Sequence, residues 1–172
     1  EGMEAEDDKI NVITEPIIYN IIKRYEEWVE EVENRLSKKA IGELPRPGKM
    51  KVLRNCIFRQ SNPCILGVEV LNGKVKNRTR VFKKENRVSI IKSIQKNNES
   101  IETAEKGDQV AISLPDATSG RQVDEDDILY TDMDEFSFRK WKRHSEHLSP
   151  DEKKVIKEIA EIKREENSLW GV

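Results

Sequence analysis

Apolar positions along the chain follow two different periods. Ile18, Ile21, Ile22, Tyr25, Trp28, Val29, Val32 and Leu36 recur at helical spacing, and Lys23, Arg24, Glu26, Glu27, Glu30, Glu31 and Glu33 fill the opposite face. The pattern predicts a long amphipathic helix over about 16–41, on the order of 35 Å at ~1.5 Å per residue. Thr14 is placed to cap it, and Pro16 falls in the first turn, where a missing N–H costs little. The segment Gly42-Glu-Leu-Pro-Arg-Pro-Gly48 ends it. The apolar stripe needs a partner surface. Upstream, Lys9–Ile13 reads as one short strand with no hairpin partner, the stump of a preceding domain over 1–15.

From Lys49 to Asp132 the period changes to two. Strands are expected at 51–58, 65–71, 75–82, 87–95, 109–114 and 128–131. Turn chemistry separates them at Ser61-Asn62-Pro63, Asn72-Gly73, Glu85-Asn86, Lys106-Gly107-Asp108 and Ser119-Gly120, with Asn72-Gly73 the strongest hairpin signal. Six short strands in so few residues predict a small closed or nearly closed β-barrel over 46–132. Helical spacing then returns. Asp134 can cap a helix over about 135–147 that offers Phe138, Trp141 and Leu148 for burial. Ser149-Pro-Asp-Glu152 is a capping box with proline at the first helical position. It opens a helix over about 150–166 with Val155, Ile156, Ile159 and Ile162 on one side, and Lys163 and Arg164 suit its C-terminal dipole. The expected fold is mainly β with helical extensions: a long helix, a barrel, and a two-helix extension over 134–172.

Charge changes this picture. The chain of 172 residues nets −2, yet residues 46–96 hold fourteen basic side chains against two acidic ones. The next stretch, 97–135, reverses this with two basic and twelve acidic. A strongly positive segment inside a nearly neutral chain points to an anionic partner, nucleic acid above all. A Lys-rich solvated barrel surface is the alternative. Phe58 and Phe82 are the only aromatics in the block, so an extended stacking platform is not indicated, and backbone and shape contacts are favoured over base reading.

Other chemistry is sparse. Arg59-Gln60-Ser61-Asn62-Pro63 is a polar loop between apolar strands, suited to phosphate, ribose hydroxyl or a carbonyl, or else an ordinary turn. His144 and His147 stand at i, i+3 without a third ligand, and Asp124–Asp127 lacks the alternation and glycine of a calcium loop, so no metal is expected. Cys56 and Cys64 match no paired motif and read as ordinary thiols of a reducing cytosol. Leu169-Trp170 follows a charged helix; the indole folds back onto Trp141 and Ile159, or helps form a groove for a peptide. No run of 18 apolar residues exists, and no phosphate-binding loop, nucleophile elbow or catalytic carboxylate pair appears. No enzyme is expected. The chain opens at Glu1 without an initiator Met, which suggests a fragment or processed product.

Several motifs occur together in order: Phe58-Arg-Gln-Ser-Asn-Pro63, Gly67-Val-Glu-Val-Leu71, Gly107-Asp-Gln-Val-Ala-Ile-Ser113, Gly120-Arg-Gln122, Asp127-Ile-Leu-Tyr130, Leu148-Ser-Pro-Asp-Glu152 and Leu169-Trp-Gly171. With them the chain resembles, from about residue 9 to its end, the C-terminal part of archaeal and eukaryotic translation initiation factor five B, a relative of bacterial initiation factor two. The resemblance implies the end of domain III, a connecting helix that acts as a lever, and domain IV, a barrel like the second domain of elongation factors. It implies binding of the acceptor end of aminoacylated initiator tRNA and a role in joining ribosomal subunits in the cytoplasm. It also implies that the C-terminal helices receive the C-terminal tail of initiation factor one A. GTP and Mg would belong to a GTPase domain absent here, so this fragment needs no cofactor and hydrolyses nothing.

The site residues carried by the resemblance are uneven. Arg59, Gln60, Ser61, Asn62, Arg121 and Gln122 match the family directly as RNA-binding candidates. Gln95 and Lys96 follow from a looser correspondence with the barrel region that bacterial relatives use for the formylmethionyl end, and Lys92 joins them from the basic block. Trp141, Val155, Ile156, Ile159, Lys163, Leu169 and Trp170 are the partner-binding candidates. Where the family often carries basic-Pro-Gly, this chain has Lys76-Asn77-Arg78, and Asn77 is expected to supply the left-handed turn. A monomer is expected, with no membrane contact. The alternative function is a pure protein-interaction module whose barrel faces ribosomal RNA or only solvent.

Overall fold

The computed structural model describes residues 18–42, 44–84 and 86–171, with side chains at 18–20 and 33–40 outside the description. The expected strand at 9–13 and the Thr14 cap lie outside the described residues. The chain divides into two compact units, 1–43 and 44–172. In the first, helix α1 spans Ile18–Gly42, with Tyr25 and Trp28 ring centroids 6.0 Å apart. Among the described residues no helix is long and apolar enough to cross a membrane.

The second unit holds nine strands: β1 Gly48–Arg59, β2 Cys64–Lys76, β3 Arg80–Lys83, β4 Asn86–Ile90, β5 Ser93–Lys96, β6 Glu99–Ile101, β7 Thr103–Glu105, β8 Gln109–Leu114 and β9 Ile128–Thr131. They pair in the order β4-β3-β9-β1-β2-β8-β5-β6, with β7 against β2. The alternation of the sequence turns one face inward. Met50, Val52, Leu66, Val68, Ile94, Ile112, Leu114 and Leu129 form a fully buried core. Among the described residues the ladder is the nearly closed form of the expected barrel, an open path from β4 to β6. It curls as a half-barrel whose ends, β4 and β6, are named strands of the same path. The chain itself bridges the gap. β4 passes to β5 through Ile91 and Lys92 alone, with Arg78 N–H donating to the Ile91 carbonyl at 2.7 Å and Lys92 N–H to the Ser113 carbonyl at 2.8 Å.

Two turns differ from expectation. Asn72-Gly73 is no hairpin, because β2 runs straight through it. Gly73 has φ +76°, and a Cβ there would stand 2.0 Å from the Pro47 carbonyl oxygen. The glycine bends one continuous strand, which pairs with β1 and β8 before the bend and with β7 after it. The missed hairpin is at Asn97-Asn98, where φ values of 51° and 67° fit the two-residue turn joining β5 to β6. The expected single strand 87–95 is split instead by the Ile91-Lys92 crossing, into β4 and β5. Likewise Arg78, at φ 59°, takes the left-handed position expected of Asn77.

Helix α2 spans Glu135–Arg143, with the Asp134 carboxylate accepting from Ser137 N–H at 2.8 Å. It stops short of the predicted 147: His144 leaves helical geometry, and Ser145–His147 form one 3-10 turn. Helix α3 spans Pro150–Glu166, and the Ser149/Glu152 capping box is formed. Polar anchors fix α3 to the half-barrel. Glu152, 1% exposed, takes Arg46 at 3.0 Å. Glu158 accepts from Lys49 at 2.8 Å and from the Tyr130 hydroxyl at 2.9 Å. Lys163 reaches Asp132 at 2.8 Å. Trp141 of α2 is fully buried and donates its indole N–H to the Pro45 carbonyl at 3.0 Å.

Candidate nucleic-acid interface

The fold brings the acidic stretch of the chain onto the basic one. Among the described residues, eight of the fourteen cations in 46–96 hold a carboxylate partner from 97–166. These are Arg46–Glu152, Lys49–Glu158, Lys51–Asp126, Arg54–Asp126, Lys74–Glu105, Lys83–Asp127, Arg87–Asp132 and Lys96–Asp108. The Lys51 and Arg54 groups hold the Asp126 carboxyl below the usual carboxylate range. Asp108 is lowered likewise, by Lys96 first and then by the Glu105 amide. The run Asp124–Asp127 is thus a clamp on β1 and β3 rather than a solvated loop.

Five cations of the half-barrel that have no ion pair among the described residues lie toward one end of it. Arg59, Arg78, Arg80, Lys92 and Arg121 are all exposed, and the backbone ties their segments to one end of the half-barrel. Ser119 N–H donates to the Gln60 carbonyl at 2.9 Å, which seats the 118–122 turn against the 59–62 loop. Gln122 fixes that turn by accepting from Thr118 N–H at 2.8 Å. Arg59 is opposite Ile65, Ile65 opposite Ser113, and Ser113 opposite Ser93, so one row runs across β1, β2, β8 and β5. Three strand spacings make it about 14 Å long. Lys92 stands at its far end. Arg78 is bonded to Ile91, and Arg80 pairs with Ile90 at the same crossing. Arg80 also lies close enough to Asp134 to contribute to lowering its pKa, after the Ser137 hydroxyl and amide. Asp116 is at this end too, its carboxylate 3.5 Å from the Ser89 hydroxyl. Lys84, another cation of the strand region without an ion pair among the described residues, sits apart in the β3–β4 hairpin.

Each sequence-based candidate can now be placed. Arg59, Gln60, Ser61, Asn62, Arg121 and Gln122 come together, and Lys92 lies across the row from them. Gln95 is on the same face but one row along, opposite Ala111. Lys96 is tied to Asp108 at 2.6 Å and is not a free cation. Arg78 and Arg80 were missed; only the hydrogen bonds of the β4–β5 crossing bring them to this end.

The second region lies between α2 and α3. A cavity of about 540 Å³ is lined by Phe138, Trp141, Leu148, Ile156 and Ala160, with Lys142, Lys153, Lys157, Glu161 and Arg164 around it. Of the partner candidates, Trp141 and Ile156 line it. Val155 and Ile159 are fully buried and do not line it. Trp170 is folded back: its ring centroid is 4.7 Å from that of Phe138, and Arg164 donates to its carbonyl at 3.0 Å. Lys163 is occupied by Asp132 and lies over the Phe82 ring. Leu169 is exposed but does not line the cavity. Among the described residues no group of three or more His, Cys, Asp or Glu side chains is arranged to hold a metal.

Comparison with known proteins gives a consistent result. Residues 46–130 match the family described as elongation factor Tu domain 4. The chain is similar to the probable translation initiation factor IF-2 of Ignicoccus hospitalis, at 39% identity over 98% of this chain and 28% of that protein. It is similar to the protein of the same name from Methanoculleus marisnigri, at 36% identity over 94% of this chain and 28% of that protein. Among solved structures, GDP-bound aIF5B from Aeropyrum pernix aligns with a TM-score of 0.75 and 36% identity, covering 91% of this chain and 27% of that one. The chain thus spans little more than a quarter of the length of these relatives.

Proposed function

We propose, from the premise that this chain belongs to the archaeal translation initiation factor IF-2 family and corresponds to its C-terminal region, that the Gln60–Ser119 end of the half-barrel binds the acceptor end of aminoacylated initiator tRNA. One observation carries this reading: five of the half-barrel cations left without an ion pair among the described residues, Arg59, Arg78, Arg80, Lys92 and Arg121, gather at that end. Unpaired guanidinium and ammonium groups exchange small counterions for phosphates without first breaking an internal pair. Gln60, Asn62 and Gln122 add amide donors and acceptors for ribose or carbonyl groups. No base code is needed for such a grip.

The direct test is titration of the chain with aminoacylated and uncharged initiator tRNA at several salt concentrations. The affinity should fall with a log–log slope of roughly −0.7 for each single-strand phosphate contact. Aminoacylated tRNA should bind better. A salt-independent affinity refutes the reading.

The α2–α3 cavity supports the second half of the proposal, docking of the C-terminal tail of initiation factor one A. An apolar floor with lysines and an arginine around it suits a peptide that alternates apolar and acidic residues. The same reading has the intact factor acting in the cytoplasm on ribosomal subunits as they join, with its GTP and Mg chemistry elsewhere in the protein. The alternative, a pure protein-interaction module, is favoured by the eight neutralised cations. It predicts that removing Arg59 and Arg121 leaves RNA binding unchanged.

A further inference from the structure

Phe58 is 67% exposed, although it lies inside a β-strand. Its neighbours explain how. Ile57 is opposite Leu66 and Arg59 opposite Ile65, so three residues of β1 face two of β2, and the ladder is irregular at Phe58. Such a bulge removes a residue from the pairing and turns its side chain away from the regular alternation. Here it puts a phenyl ring into water, an unfavourable place for an apolar ring. The ring directly precedes Arg59 and the loop that Ser119 holds through Gln60. In its unit the other large side chains this exposed include Phe136, which Lys140 covers at 4.6 Å. No cation covers Phe58 among the described residues. An uncovered ring amid uncovered cations is the combination that single-stranded RNA exploits: phosphates meet the cations and an unstacked base lies on the ring.

We infer that Phe58 is a base-stacking residue, on which one unpaired nucleobase at the single-stranded RNA terminus lies while Arg59 and Arg121 hold the flanking phosphates. The inference rests on the tRNA reading of this end and names the contact that reading lacks. A single ring provides no platform for a run of bases, so the site takes one base and discriminates poorly among bases. It should prefer a purine for its larger face.

The 172-residue chain is titrated at low salt with a short RNA ending in C-C-A, whose terminal adenine is replaced by 2-aminopurine, a base whose fluorescence falls on stacking. The unmodified protein should quench the probe. Phe58→Ala should abolish the quench and weaken binding by about 5- to 150-fold. Phe58→Trp should restore both. Phe58→Leu, apolar but without a ring face, should behave like Ala. Because the side chain is exposed, thermal unfolding of all three variants should match that of the parent, and a ring-less variant that unfolds early is replaced by Phe58→Thr in the same comparison. Full quench and affinity in Phe58→Ala, with Arg59→Ala still weakening binding, overturns the stacking role and leaves the tRNA reading standing. Absence of binding by the parent chain overturns both.

Discussion

Ser119 donates its amide hydrogen to the carbonyl of Gln60 over 2.9 Å, and this bond joins two segments that are far apart in the chain. It brings the turn that carries Arg121 against the loop that carries Arg59. Exposed cations gathered at one end of a rigid support make a local positive field that favours an anionic partner. The arrangement is therefore more informative than the count of basic residues.

Replacing both Arg59 and Arg121 by Ala should lower the salt slope of RNA binding by about 1 to 1.5. Replacing Lys51 and Lys96, which Asp126 and Asp108 already hold, should change it little. Binding isotherms at four salt concentrations decide this, and equal effects from the two pairs would show that the internal ion pairs do not govern access.

Gly73→Ala should be costly and Gly107→Ala much less so. Both glycines have positive φ, at 76° and 87°. A Cβ at 73 meets the Pro47 carbonyl oxygen at 2.0 Å, whereas at 107 it meets nothing within 4 Å. Backbone strain alone amounts to about 1–3 kcal/mol at each. The clash should lower the melting temperature of the Gly73 variant by roughly 10 °C, at about 2–4 °C per kcal/mol for a chain of this size. Equal melting temperatures would mean that β1 and β2 part freely at this crossing.

Glu152→Ala should lower the urea midpoint without altering the slope. It leaves the Arg46 guanidinium facing a buried site and removes the side-chain half of the capping box. The expected loss is on the order of 2–4 kcal/mol. A midpoint within error of the parent would show that Arg46 simply turns outward to water.

Acid should weaken the α2 cap in a defined direction. The Ser137 hydroxyl and then its amide hold the Asp134 carboxyl below the usual carboxylate range. A depressed folded pKa means stability that is present above the unfolded value, about 3.9, and is lost as pH falls through the folded one. Asp134→Asn keeps a capping oxygen but has no proton to take up. Its urea midpoint should lie close to the parent's at pH 6, and the gap should move in the variant's favour by pH 2.5. A constant difference across that range would refute the assignment.

Lys157→Glu and Lys153→Glu should weaken docking of an acidic tail peptide while leaving the fold intact, since both side chains are exposed. Amide shifts in a titration should concentrate on α2 and α3. Shifts on β1 and β8 of equal size would place the peptide elsewhere. Ile159→Ala and Trp170→Ala are unsuitable probes, because both side chains are buried and their loss would destabilise the unit itself.

Much of the fold was legible because it depends on local rules. Ser149 and Glu152 form their capping box, Asp134 caps α2, and the period-two segments became strands, as side-chain alternation requires. The misplaced turns show where local rules stop. Asn72-Gly73 carries a hairpin signal, but φ > 0 serves a bend in a continuous strand equally well, and the approach of Pro47 decides which. At Asn97-Asn98 two residues that tolerate positive φ supply the hairpin turn between β5 and β6.

The candidate site divides along the same line. Sequence by itself determined the composition of the 59–62 loop, the Gly120-Arg-Gln122 turn and the two opposed charge blocks. Only tertiary structure decided which charges remain free, because an ion pair depends on the distance between side chains and not on their order. Asp126 is silent about Lys51 and Arg54 until β1 is folded against it. Once it is, the broad positive block contracts to one end of the half-barrel, where Arg78 and Arg80 arrive through the β4–β5 crossing.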